Sequence, residues 1–156
     1  MKTRFNMEKV EAAAYEAMYS LEVVVRKTPL KLDYKHLIKI RASQINSCAF
    51  CIEMHSAEAR KHGETESRIY ALSAWRESPL FSEEERALLA LTEEVTLIAN
   101  QGLSDKTYAA LQKYFDDTTI AQAIMQVVTI NAWNRIAVST RMMHAYQLKG
   151  ELVESE

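Results

Sequence analysis

The sequence predicts an all-α protein, and three observations carry that prediction. Apolar residues recur at three- and four-residue steps through the long segments, the period of a helix. No segment sustains the alternation of period two that a half-buried strand needs. Glycine and proline number only three and two among 156 residues, far below the usual frequencies of about 7% and 5%, so long helices with few tight turns follow. With 48% apolar and 26% charged residues, residues 1–156 read as a single helical domain, a bundle of about six to seven helices folded throughout.

The first helix is predicted over residues 6–27, where Met7, Val10, Ala14, Tyr15, Met18, Leu21 and Val25 form one stripe that stops before Thr28-Pro29. Asp33 is placed to cap a second helix, which runs to about Asn46 with Leu37, Ile38, Ala42 and Ile45 on its apolar face. A third begins around Cys48 and runs to Gly63, a residue suited to the left-handed position after a helix. Thr65 caps a fourth, with Ile69, Leu72 and Trp75, which Ser78-Pro79 ends. Ser82 with Glu85 forms a capping box for the fifth, whose Leu88, Leu91, Val95 and Ile98 point one way. Ser104 opens a short sixth helix through Tyr108 and Leu111. Asp116 or Asp117 opens a seventh that meets no breaker before Gln147.

Composition excludes several function classes. Gly63, Gly102 and Gly150 are isolated, so no glycine-rich phosphate loop exists. The formal net charge of −2 leaves no electrostatic footprint for nucleic acid. The longest apolar runs, Cys48 to Ile52 and Ala87 to Leu91, are five residues, against about 20 for a membrane span. Glu8 and Glu11 interrupt any signal-like start, and the expected location is cytoplasmic.

Chemistry concentrates in Cys48-Ala49-Phe50-Cys51, with His55 four residues after Cys51. On a helix these spacings put Cys48, Cys51 and His55 on one stripe. The start of the helix and the Cys-x-x-Cys arrangement both favour a thiolate. Three readings fit: a redox or nucleophilic pair, a metal site, or two cysteines packed as small hydrophobes. Zinc lacks a fourth ligand for a structural site.

The stretch Leu37 to His55, with its Arg41-Ala42-Ser43-Gln44-Ile45-Asn46 lead-in and Cys-x-x-Cys-x-x-x-His core, resembles the AhpD-like alkylhydroperoxidase and carboxymuconolactone decarboxylase superfamily. Ala74-Trp75-Arg76-Glu77-Ser78, Glu85 to Leu91 and Asn131-Ala132-Trp133-Asn134-Arg135 look like its single-domain branch. The resemblance implies an all-helical homo-oligomer, a trimer or hexamer, with thiol peroxidase or disulfide reductase activity and no metal, haem or other cofactor. It implies that Cys51 attacks the peroxide, that Cys48 closes the disulfide, that His55 takes the proton from Cys51, and that an external dithiol restores both thiols. Helical spacing agrees, since Cys51 has His55 one turn on.

Two positions depart from the family pattern. His36 stands where the better-known members carry a glutamate twelve residues before the first cysteine, and Phe50 stands where some carry a histidine. His36 is either a substitute base or a polar residue of the second helix. Glu94, on the edge of the fifth helix, is a weaker substitute. His62 and His144 read as surface residues, Met142-Met143 and the tyrosines at 15 and 19 as packing, and Arg135 as a tie between helices through an acid. Two other functions compete with the peroxidase: decarboxylation of a lactone, which has no evident need for a dithiol, and a non-catalytic oligomeric module with buried cysteines.

Overall fold

The computed structural model describes residues 2–143, 147–148 and 151–152. Its α-helices are α1 (Met7–Val10), α2 (Ala12–Arg26), α3 (Leu32–Ile45), α4 (Ala49–Lys61), α5 (Glu66–Ala71), α6 (Glu83–Thr96), α7 (Asp105–Leu111) and α8 (Asp117–Thr140). Two 3-10 turns, Leu72–Ala74 and Ile98–Asn100, follow α5 and α6. A two-residue antiparallel ladder pairs β1 (Gln147–Leu148) with β2 (Glu151–Leu152), so the class is all-α.

The packing centre is α3, which contacts α4, α6 and α8. A helix touched on several sides cannot keep a clean polar face, and its buried residues run Tyr34 to Ile38, then Ile40, Ala42 and Ser43. Leu30, Tyr34, Ile38, Leu88, Leu91, Leu111, Ile120 and Val127 close one core between α3, α6, α7 and α8. Leu37, Ile40, Ala59, Leu72, Trp75, Phe81 and Leu89 close another toward α4 and α5. The Glu93 carboxylate ties the second core to its edge, accepting from Arg41, from Trp75 Nε1 at 2.8 Å and from Arg76. Burial would push this carboxyl up, but those donors hold it below the ordinary range.

Capping chemistry explains most of the helix starts. Thr65, Ser82, Ser104 and Asp116 each accept a backbone N–H in the first turn, and Ser82 with Glu85 completes the capping box. Gly63 follows α4 with φ +96°, the left-handed value that favours glycine.

Other boundaries differ from the sequence reading. The expected helix over 6–27 is two helices, because Glu11 leaves helical geometry at φ −134° and ψ 64°. Asp33 does not cap α3; Lys31 holds that position without a side-chain capping bond, and Asp33 sits inside the first turn. Ile98 lies outside α6 and is 59% exposed. The last helix stops at Thr140, short of Gln147, because Arg141 turns left-handed at φ 56°. The Arg141 N–H then bonds the Val138 carbonyl and the Met142 N–H bonds the Ala137 carbonyl, the Schellman pattern with arginine in the usual glycine place. Nothing in the sequence marks that stop. Arg135 finds no acid among the described residues; its guanidinium donates to the carbonyl and side-chain oxygens of Asn131 on its own helix. His144 lies outside the described residues.

Candidate functional site

The turn between α3 and α4 sets the cysteines. Ser47 takes φ 54°, which reverses the chain, and the Cys48 N–H bonds back to the Ser43 carbonyl at 3.0 Å. A polar seam fixes this turn against α8. The Asn46 side-chain amide donates to the oxygens of Asn131 and Asn134, each at 2.9 Å, and the Asn134 amide donates to Ser43 Oγ at 3.0 Å. Asn131 and Asn134 are buried, so each bond made replaces water that cannot reach them.

Cys48 is the N-cap of α4, and its sulfur accepts the Cys51 N–H at 3.3 Å. The two sulfurs are joined as a disulfide with Cα atoms 5.4 Å apart. Both cysteines are almost fully buried, at 1% and 2% exposure. Ala137 and Met142 pack on the pair, so the Schellman turn that ends α8 also lies against the two cysteines.

Beside the disulfide lies a cavity of about 540 Å³. Cys51, Met54, His55 and Glu58 line it from α4, His36 and Lys39 from α3, Tyr15, Tyr19 and Glu22 from α2, and Trp133 from α8. Trp133 Nε1 donates to Glu22 at 3.2 Å, and Tyr15 meets the indole edge-on at 5.2 Å. Glu22 also pairs with Lys39 at 3.0 Å.

His55 is buried, and its Nδ1 lies 2.8 Å from Glu58 Oε2, one turn further along α4. That bond holds the Glu58 carboxyl below its usual range. An ionised Glu58 accepts from Nδ1–H, which assigns Nε2 as the basic nitrogen. His36 is also buried, and burial, with His62 beside it, pushes its imidazole down from the ordinary 6.5. The two rings stack at 5.2 Å with a 31° tilt, and His62 Nδ1 is 2.8 Å from the Glu58 carbonyl oxygen.

Three of the residues singled out from sequence, Cys51, His55 and His36, line one cavity, and Cys48 is bonded to the first. Glu94 stays away from it. Its carboxylate accepts from the Ser104 backbone and hydroxyl and from Thr107 Oγ1, fastening the start of α7. Sequence reasoning missed Glu58, although its place three residues after His55 was a readable signal. His62 is exposed at the end of α4, yet it covers His36, and only the packing of α3 on α4 reveals this. Among the described residues no three His, Cys, Asp or Glu side chains are grouped to hold a metal ion, and no described helix is long and apolar enough to cross a membrane.

Comparison with known proteins bears on the fold and the family. The model of the carboxymuconolactone decarboxylase family matches residues 12–94, a span holding both cysteines, His36, His55 and Glu58. The uncharacterized protein YdfG of Bacillus subtilis is 37% identical over 139 residues, 89% of this chain and 95% of that one. A crystal structure of a protein of unknown function from Agrobacterium tumefaciens, proposed as the antioxidant defence protein AhpD, is 43% identical. It superposes with a TM-score of 0.91 over 94% of this chain and all of that one. An uncharacterized peroxidase-related protein from Silicibacter sp. TM1040 is 25% identical, with a TM-score of 0.71 over 88% of this chain and 71% of that one. Fold and cysteine pair thus define an AhpD-like helical protein. The chain belongs to the carboxymuconolactone decarboxylase family.

Proposed function

We propose that the protein reduces organic hydroperoxides through a Cys48–Cys51 dithiol and disulfide cycle. The observation that carries this reading is the shared wall of Cys51, His55 and Glu58, three side chains of one helix facing a cavity with the partner sulfur of Cys48 behind them. In the reduced protein, His55 Nε2 takes the Cys51 proton, and the imidazolium so formed is stabilised by the Glu58 carboxylate. The thiolate attacks the terminal peroxide oxygen, an S–O bond forms as the O–O bond breaks, and the alkoxide takes up the proton to leave as an alcohol. Cys48 then displaces water from the Cys51 sulfenic acid, closing the disulfide, and an external dithiol reduces it by exchange.

The cavity supports an organic substrate. At about 540 Å³ it falls within the range of about 300 to 1,000 Å³ typical of small-molecule sites, and Tyr15, Tyr19, Trp133 and Met54 give it apolar walls. Self-association belongs to the same proposal. The outer face of α8 leaves Met125, Val128 and Val138 between 38% and 48% exposed, and light scattering reporting a monomer contradicts that part.

Reduced protein treated with one equivalent of cumene hydroperoxide tests the cycle. Both alkylatable thiols should disappear with formation of one disulfide and one alcohol. Cys51→Ser should consume no peroxide, and Cys48→Ser should react once, leaving a Cys51 sulfenic acid that a dimedone probe traps. A sulfenic acid on Cys48 instead reverses the roles. Two thiols that stay unreactive toward both peroxide and alkylating agent defeat the reading.

A further inference from the structure

The His36 side chain forms part of the cavity wall on α3, across from the α4 residues that carry the thiol chemistry. It is only 6% exposed, and neither ring nitrogen finds a hydrogen-bond partner among the described residues. Burying an imidazole this way is costly, because each polar group left unpaired gives up its water for no replacement bond. A proton relay does not account for it, because the acceptor of His55 Nδ1–H is already Glu58 and no bond joins His36 to either residue. Burial, with the His62 ring and Lys39 beside it, outweighs Glu58 and keeps the ring uncharged near neutral pH. An uncharged imidazole still has one N–H to donate.

We propose that His36 is a catalytic residue of hydroperoxide reduction, donating a hydrogen bond to the alkoxide oxygen released as the O–O bond breaks. The inference rests on the reaction proposed above and gives this residue a place in it. As the Cys51 thiolate forms its S–O bond, two electrons pass from sulfur to the peroxide and negative charge collects on the departing oxygen. The proton that neutralises this oxygen is the one His55 removed from Cys51; His36 stabilises the charge until it arrives. A preorganised donor in a site shielded from water is worth more here than in solution. Substrates whose leaving group carries its charge easily should need His36 least.

The test compares wild-type protein, His36→Phe and His36→Gln in single-turnover reactions of the reduced protein. The reactants are tert-butyl hydroperoxide, cumene hydroperoxide, peracetic acid and, as a reagent that releases no oxygen, iodoacetamide. His36→Phe should slow both alkyl hydroperoxides by about 10- to 100-fold, the worth of one donor to a charged oxygen. His36→Gln keeps an N–H and should recover most of that loss. Peracetic acid, which expels acetate, should be spared, and iodoacetamide alkylation of Cys51 should be unchanged in every variant. Equal slowing of alkylation and peroxide reduction overturns the inference, because His36 then acts on the thiol. Equal slowing of all peroxides, or no slowing at all, also overturns it. Wild-type protein that alkylates at Cys51 but consumes no hydroperoxide removes the proposed function itself, a result distinct from an active wild type that is indifferent to His36.

Discussion

Replacing Glu58 by Gln isolates the charge behind His55. The amide oxygen of Gln still accepts from Nδ1–H, so ring orientation and tautomer survive while the negative charge is lost. Glu58 Oε2 is 2.8 Å from His55 Nδ1. Two unit charges about 4 Å apart interact by about 4 kcal/mol at an effective dielectric of 20 and about 1 kcal/mol in water. His55 is buried, but the Glu58 side chain is 45% exposed, which puts the pair toward the water limit, at about 1.4 kcal/mol or one factor of ten in rate. The expected outcome is a roughly tenfold slower reaction of reduced Glu58→Gln with cumene hydroperoxide near neutral pH, matched by slower iodoacetamide alkylation of Cys51. Because half the pair is solvated, the gap should narrow in 1 M salt, where the Debye length is about 3 Å. Stopped-flow kinetics at low and high salt measures both effects. Unchanged alkylation in the variant, or a deficit that ignores salt, refutes the assignment of Glu58 as the charge behind the base.

Glu94→Ala should destabilise the protein by about 1 to 2 kcal/mol in urea melts, since it removes the acceptor fastening the start of α7. It should leave Cys51 alkylation unchanged; a slower thiol reaction would return Glu94 to the site. Ser47→Gly should stabilise the fold by up to about 1 kcal/mol, because φ 54° costs a side chain more than it costs glycine. A lower melting temperature contradicts that reading of the turn. The pH dependence of stability carries the mark of His36. Its folded-state imidazole titrates below the ordinary 6.5, so between those two values the unfolded chain binds the extra proton. Stability should therefore fall as pH drops through about 6.5 toward the lower folded value, and His36→Gln should lose less over the same window in thermal melts.

Local chemistry was legible in the sequence because its partners are local. The Ser82 and Glu85 capping box, the caps at Thr65, Ser104 and Asp116, and the glycine after α4 all act within a few residues. The spacing of Cys48, Cys51 and His55 along one helix belongs to the same category, and Glu58 lay within reach of that reasoning. What tertiary structure decided is everything that needs a second helix. The asparagines of α8 became the seam that holds the cysteine turn, although nothing in their own segment requires it. Glu94 turned toward α7, because Ser104 and Thr107 offer it three donors there. Arg141 closed α8 in a left-handed turn that packs Met142 against the cysteine pair, with no glycine to announce it. His36 and His62, 26 positions apart on two helices, meet only because α3 packs on α4. Periodicity and caps fix where a helix lies in the chain, but the neighbours a buried polar group finds are set by how those helices pack.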